Sequence, residues 1–335
     1  MQVSALEWVI TIAVVLALFV FDFYAHVRTP HEPSFRESGF WSAVYVGLAL
    51  AFGGYVAWRW GSTYTGEYYA GFVTEKALSV DNLFVFLIIM STFAVPRIYQ
   101  QKVLLIGIVL ALVMRGAFIA VGAAAINAFS WVFYLFGLFL IYTAAKLLRE
   151  SGHEVEAEQQ RDSRIVAFAE KVLPTTEEYD RDRLITRVDG KRVATPLLLA
   201  LVAIGFTDLL FALDSIPAIY GLTEQPYLVF TANAFALMGL RQLYFLIGGL
   251  LDRLVYLSYG LAAILAFIGV KLVLHALHEN TLPWVNGGEH VAVPEVSTPV
   301  SLGVILGVLA VATVASLIKT RRRAATAAGT DASGE

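Results

Sequence analysis

Nine apolar runs, each near the ~20 residues that a helix needs to cross a bilayer, leave this chain little choice but a bundle of transmembrane helices. They cover roughly 6–26, 39–60, 67–95, 102–125, 129–149, 196–220, 228–250, 254–277 and 299–319. Composition agrees: only 15% of the 335 residues are charged, against about 25% in soluble domains. The first run lacks the basic flank and small-residue cleavage site of a secretory signal, so it is expected to remain as a span.

Positive charges fall on alternate connections. Arg28 and Arg36, then Arg97 and Lys102, then the 150–194 segment, then Arg253, then Lys319 and Arg321–Arg323 lie on one side. The connections near 61–66, 126–128, 221–227 and 279–298 carry no Lys or Arg. By the positive-inside rule the C-terminus is expected in the cytoplasm of an inner (plasma) membrane protein, with the N-terminus outside. An odd number of spans fits both ends. The 150–194 segment holds eight Lys/Arg and eleven Asp/Glu. It reads as a solvated cytoplasmic linker, with a short surface helix expected over 162–172 and a turn at Asp189-Gly190-Lys191. The tail from 321 to 335 is expected in the cytoplasm, and beyond Arg323 it is small, polar and expected to be disordered.

Carboxylates inside these runs set the function. Thr74-Glu75 is followed by Asp81-Asn82, and Thr207-Asp208 by Asp214-Ser215, with a constant offset of 133 residues. Arg115 in the fourth run has a counterpart in Arg241 in the seventh, and Lys146 in the fifth has one in Lys271 in the eighth. The order of acid pair, Arg helix and Lys helix therefore occurs twice, over 67–149 and 195–278. A unit of three spans must re-enter the membrane from the opposite side when repeated. The fold expected is an all-α integral membrane protein of about nine transmembrane helices with an inverted repeat of two three-helix units. Residues 1–66 and 299–320 add peripheral spans, and 279–298 forms an extracytoplasmic loop. Such repeats recur in secondary transporters, with the site near the midplane.

An intramembrane charge costs ~2.5–3.5 kcal/mol on insertion scales, so it is expected to serve an ion or a partner. Glu75, Ser79 and Asn82 share one helical face, as do Asp208, Ala212 and Ser215. An ion between the two motifs can meet Glu75, Asp81, Asn82, Asp208, Asp214 and Ser215. That set is all oxygen, which suits Mg²⁺, Ca²⁺ or Mn²⁺ rather than Cu or Zn. Arg115 and Arg241 are expected to balance the excess negative charge, and protons exchanged on the carboxylates can drive the movement. Pro217 can break the sixth span. The competing reading makes the acids helix glue, paired with Arg115, Arg241, Lys76 or Lys146.

Other polar residues carry weaker signals. Lys76 is expected to be solvated or to snorkel, and Asp22 to lie at an interface or on the ion path. Asn127 is expected to cap a helix, and Asn233 to pack or to line the path. His275, His278 and Glu279 read as interfacial, and His26 and His31 as loop residues. Trp58, Trp60, Tyr64, Tyr68, Tyr69 and Trp284 form an expected aromatic belt. Gly53-Gly54 and Gly248-Gly249 are expected at close helix contacts.

Glu75-Lys76-Ala77-Leu78-Ser79-Val80-Asp81-Asn82 and Phe211-Ala212-Leu213-Asp214-Ser215-Ile216-Pro217-Ala218 resemble the two signature motifs of the TerC family, which includes Alx-type membrane proteins. The resemblance covers about residues 5–320. It implies membership of the lysine-exporter superfamily and, from bacterial members implicated in manganese export, Mn²⁺ efflux. Glu75, Asp81, Asp208 and Asp214 match the family's acidic positions. No resident cofactor is expected, and the partners expected are a divalent cation and the lipid bilayer. Two alternatives remain. A tellurite-resistance factor moving or sensing an oxyanion would need a cationic lining, for which only Arg115 and Arg241 speak. A non-transporting scaffold would work with envelope or insertion partners through the 150–194 segment. No basic stripe points to nucleic acid, and no enzyme is expected, because no nucleophile–base pairing or phosphate loop occurs.

Overall fold

The computed structural model describes residues 1–28, 31–129, 131–150, 175–176, 178–188, 191–247, 256–280, 282 and 285–331. Of Asp81, Phe84, Glu150, Ile247, Gly288 and 321–331 it describes the backbone alone. The expected helix over 162–172, Asp189-Gly190, Gly248-Gly249, Arg253 and Trp284 lie outside the described residues.

Helix α1 (Ala5–Asp22) starts at a capping box in which Ser4 and Glu7 satisfy each other's backbone donors. It runs into a π-helical turn, Phe23–Val27. Helix α2 (Phe35–Trp60) is capped by the Ser34 side chain. Gly61 alone separates it from α3 (Ser62–Thr92). Its φ of 92° lies in the region that glycine enters without strain. Helices α4 (Arg97–Ala128) and α5 (Val132–Glu150) follow. Strands β1 (Ile185–Val188) and β2 (Lys191–Ala194) then pair antiparallel, with Val188 opposite Lys191. The chain continues as α6 (Pro196–Tyr220), α7 (Pro226–Met238), α8 (Leu240–Ile247), α9 (Leu257–His278) and α10 (Thr298–Asp331).

Among the described residues, seven segments are long and apolar enough to cross a membrane: α1 with its π turn, α2, α4, α5, α6, α9 and the first part of α10. Their outward faces carry large apolar side chains such as Val9, Leu16, Val113, Leu138 and Val311, as expected of helices set in lipid. Helix α3 has 31 residues, but Glu67, Glu75, Lys76 and Asp81 lower its hydropathy. It is nonetheless the hub of the bundle, packing against α2, α6, α7, α8, α9 and α10. The seventh apolar run is divided between α7 and α8 at Gly239.

Two sequence expectations fail here for local reasons. Helix α6 continues through Pro217 to Tyr220, because a proline this close to the helix end forfeits one backbone hydrogen bond without a long segment beyond it to displace. The break falls instead at Gly239, beside which the Lys76 ammonium donates to the Ala236 carbonyl at 2.9 Å. Lys76 therefore satisfies a carbonyl of the last turn of α7 rather than snorkelling.

Helices α5 and α9 meet backbone to backbone. A Cβ on Gly269 would stand 2.8 Å from the Gly137 carbonyl oxygen, and one on Gly137 equally close to that of Gly269. Gly269→Ala is therefore expected to force the helices apart and destabilise the protein by about 1–3 kcal/mol, read from thermal unfolding in detergent. Gly47, with open space around it, is the control position. Gly53 also sits at a close contact, against the Tyr69 ring, whereas Gly54 has nothing near it. Trp58, 81% exposed, fits the expected aromatic belt, but Tyr68 is wholly buried and donates to the Ala49 carbonyl.

The end of the central segment is largely exposed but touches the bundle at two points. Tyr179 donates to the Phe93 carbonyl at the end of α3, and Lys102 of α4 pairs with Asp182 at 2.7 Å.

Candidate functional site

The centre of the bundle holds one guanidinium between the two acidic motifs. Arg115 of α4 is fully buried, as are Glu75 of α3 and, at 1% exposure, Asp208 of α6. Arg115 grips Asp208 with both arms: Nε donates to Oδ2 at 3.1 Å and Nη2 to Oδ1 at 3.0 Å. Its Nη1 donates to Glu75 Oε1, to Ser215 Oγ at 3.0 Å and to Asn233 Oδ1 at 3.0 Å. Nη1 carries two protons and faces three acceptors, so the contacts are shared. The planar fork of arginine makes this possible where lysine would offer a point charge. Ser79, one turn after Glu75, donates to Glu75 Oε1 at 3.4 Å.

The helices deliver these groups through their periodicity. Glu75, Ser79 and Asn82 all face inward from α3, and Asp208, Ala212 and Ser215 from α6. Asn233 comes from α7, so four helices converge. Packing of α3 on α7 and of α4 on α6 holds them together.

The charges at this point do not balance. Two buried carboxylates face one guanidinium. Glu75 Oε2, Thr74 Oγ1, Thr207 Oγ1 and Asn233 Nδ2 are buried without a hydrogen-bond partner among the described residues. Leaving such atoms unsatisfied is costly; with both carboxylates ionised the cluster carries one negative charge beyond its guanidinium, and Glu75 Oε2 is a spare oxygen ligand. Among the described residues no three His, Asp or Glu side chains converge as a metal-binding group.

The remaining expected site residues are dispersed. Asp214, half-buried, faces α5 and accepts from Thr143 Oγ1 at 3.1 Å. The Asp81 side chain lies outside the described residues. Arg241 does not balance the motif acids. It forms a second buried cluster with Asp22, donating to Oδ1 at 2.7 Å, and with Gln101 at 3.2 Å. Tyr45 and Gln242 donate to the same Asp22 oxygen. The His26 ring stands 3.1 Å from it and edge-on to Trp41, so His26 is a core residue rather than a loop one. The reason is local: the π turn carries the chain one turn further into the bundle than a helix ending at Asp22 would. Asn127 lies within the last turn of α4, where its side chain donates back to the Ala123 carbonyl at 2.8 Å, and the cap is Phe129 instead. Asn233 proves to line the charged site. Sequence reading missed Thr143 and Tyr45, since a lone hydroxyl in an apolar run carries no distinguishing pattern.

A polytopic helical membrane protein with a buried ionic site shared by two similar acidic segments is thus defined. The family model described as "Integral membrane protein TerC family" matches residues 60–324, and the chain belongs to that family. It is 54% identical over 325 residues to an uncharacterized membrane protein of Mycobacterium tuberculosis, covering 97% of this chain and 82% of that one. It is 40% identical over 314 residues to an uncharacterized membrane protein of Myxococcus xanthus, covering 94% and 92%. It is also 41% identical over 243 residues to the thylakoid membrane protein TERC of Arabidopsis thaliana, covering 72% and 62%. No solved structure matches.

Proposed function

We propose that this protein is a secondary transporter that exports a divalent metal cation, Mn²⁺, through the acidic site between two inverted repeats. The observation that carries the reading is the ratio of two buried carboxylates to one guanidinium, with Glu75 Oε2 unpartnered. A cation supplies the missing charge. Oxygen ligands fit a hard ion such as Mn²⁺. Arg115 then acts as the resident counter-charge that holds Glu75 and Asp208 together between transport events. Asp81, Asn82, Asp214 and Ser215 complete the ligand set as the ion moves, and Arg115 yields part of its carboxylate contact.

The fold reading behind this counts α3 and the α7–α8 pair as spans, making nine. Helix α3, at ~46 Å from its 1.5 Å rise per residue, exceeds a ~30 Å hydrocarbon core. The packing pairs support the inverted repeat. With α3, α4 and α5 equivalent to α6, α7–α8 and α9, the contact of α3 with α7 has its counterpart in that of α6 with α4, and α5 packs on its own equivalent α9. The Arg/Lys-rich connections support a reading with the C-terminus on the cytoplasmic side of a plasma membrane.

Proton exchange is the proposed energy source. In proteoliposomes, an imposed proton gradient is expected to drive Mn²⁺ movement, and a protonophore to abolish it. Movement indifferent to both would remove the exchange step. A scaffold role draws on one observation, the docking of Tyr179 and Asp182 onto α3 and α4. Deleting 152–190, which removes both docked residues, separates the two readings, since a transporter keeps moving ions and a scaffold fails.

A further inference from the structure

A cavity of about 270 Å³ opens at the end of the bundle remote from the Arg/Lys-rich connections. Its wall includes Glu67 of α3, Thr223, Glu224 and Gln225 of the α6–α7 connection, and Lys271 and His275 of α9. We propose that this cavity is the outer vestibule of the ion path, in which a divalent cation leaving the buried site is held with its water shell. The proposal rests on the transport reading above.

The cavity lies in line with the buried site. Tyr220 at the cavity wall is five residues beyond Ser215 on α6, ~7.5 Å along the axis. Glu67 is eight residues before Glu75 on α3, ~12 Å along it. Phe133 brings in α5, the helix whose Thr143 holds Asp214. The three helices that carry or support the motif acids therefore also wall the cavity.

Size and chemistry agree with position. Six waters occupy ~180 Å³ at liquid density, so a hexahydrated ion fits the volume. Hard divalent ions give up water reluctantly and are often held by one or two carboxylates through it. Glu67 Oε2 is presented by Thr223 Oγ1 at 2.6 Å, and Glu224 Oε1 lies 3.1 Å from His275 Nε2. That histidine contact keeps the Glu224 carboxyl below the usual carboxylate range, hence ionised. Lys271 on the same wall opposes tight binding. An exit site has to be weak enough to release its ion.

The chain contains no cysteine, so single cysteines report without background. Gln225→Cys lines the cavity. Val270→Cys, 49% exposed on the opposite side of α9 from the core, is the lipid-face control. Purified protein in proteoliposomes is treated with membrane-impermeant cationic or anionic thiosulfonate, and Mn²⁺ flux is followed. The cationic reagent is expected to react faster at Gln225→Cys and to remove about nine-tenths of the flux by obstructing the path, with the control unaffected. Glu67→Gln/Glu224→Gln is expected to lower flux at sub-saturating Mn²⁺ about tenfold and to erase the reagents' charge preference. Full labelling at Gln225→Cys with unchanged flux, in protein that transports Mn²⁺, overturns the vestibule alone. Absence of Mn²⁺ movement by the unaltered protein overturns the vestibule together with the transport reading.

Discussion

Replacing Arg115 by methionine is expected to destabilise the protein by about 3–5 kcal/mol, the cost of stranding buried charge when one member of an ion pair is removed. The size follows from what the guanidinium holds together. Arg115 is the sole described cation touching Glu75 and Asp208, and it ties α4 to α3, α6 and α7 through five hydrogen bonds. The penalty lies in the two abandoned carboxylates rather than in the missing side chain. Neutralising all three groups, Glu75→Gln with Asp208→Asn and Arg115→Met, is therefore expected to recover most of the loss, since buried ionic clusters replaced as a set are often close to neutral. Thermal unfolding in detergent, comparing the unaltered protein, Arg115→Met and the triple substitution, reads this directly. If the triple substitution is as unstable as Arg115→Met alone, the penalty is lost packing rather than stranded charge.

The second large effect separates stability from transport. Glu75→Gln and Asp208→Asn each remove one carboxylate, leaving one acid to one guanidinium. Charge at the described site then balances, and the fold is expected to tolerate either change to within about 1–2 kcal/mol. Mn²⁺ flux is nonetheless expected to fall at least about a hundredfold, because even changes to groups that merely orient a metal's ligands cost 10–100-fold and these are direct ligands. Glue predicts the reverse, with stability lost and no flux to lose. Stable protein with dead transport is thus the signature of an ion site.

Much of this arrangement was legible in the sequence because intramembrane charge is rare enough to be informative one residue at a time. The Glu75 and Asp208 positions and the inward faces of α3 and α6 followed from spacing alone. Arg115 was visible as a counter-charge. Its apparent twin Arg241 was not separable by the same logic, since the repeat gave both arginines the same place in their units. What distinguishes them is Asp22, contributed by α1, and the π turn that carries His26 inward. Neither leaves a periodic trace. The break at Gly239 was missed for a related reason. A glycine between Met238 and Leu240 reads as close packing, and only the approach of Lys76 from α3 shows that a carbonyl there needs a donor. Pro217 misled in the opposite direction, because proline's effect depends on how much helix follows it. Histidines at i, i+3 in α9 read as interfacial, and their acidic partners Glu224 and Glu295 come from connections that sequence reading cannot fold back onto the helix.

The central claim is that the two acidic segments jointly carry a divalent cation. Mn²⁺ flux into proteoliposomes tests it most directly, comparing the unaltered protein with Asp81→Asn and Asp214→Asn, one change in each segment. Flux in the unaltered protein and its loss in both variants, each folded and reconstituted at equal density, is the predicted result. Folded, correctly inserted protein that moves no Mn²⁺, Ca²⁺ or Mg²⁺ under an imposed proton gradient would contradict it, and the buried charges would then stand as structural.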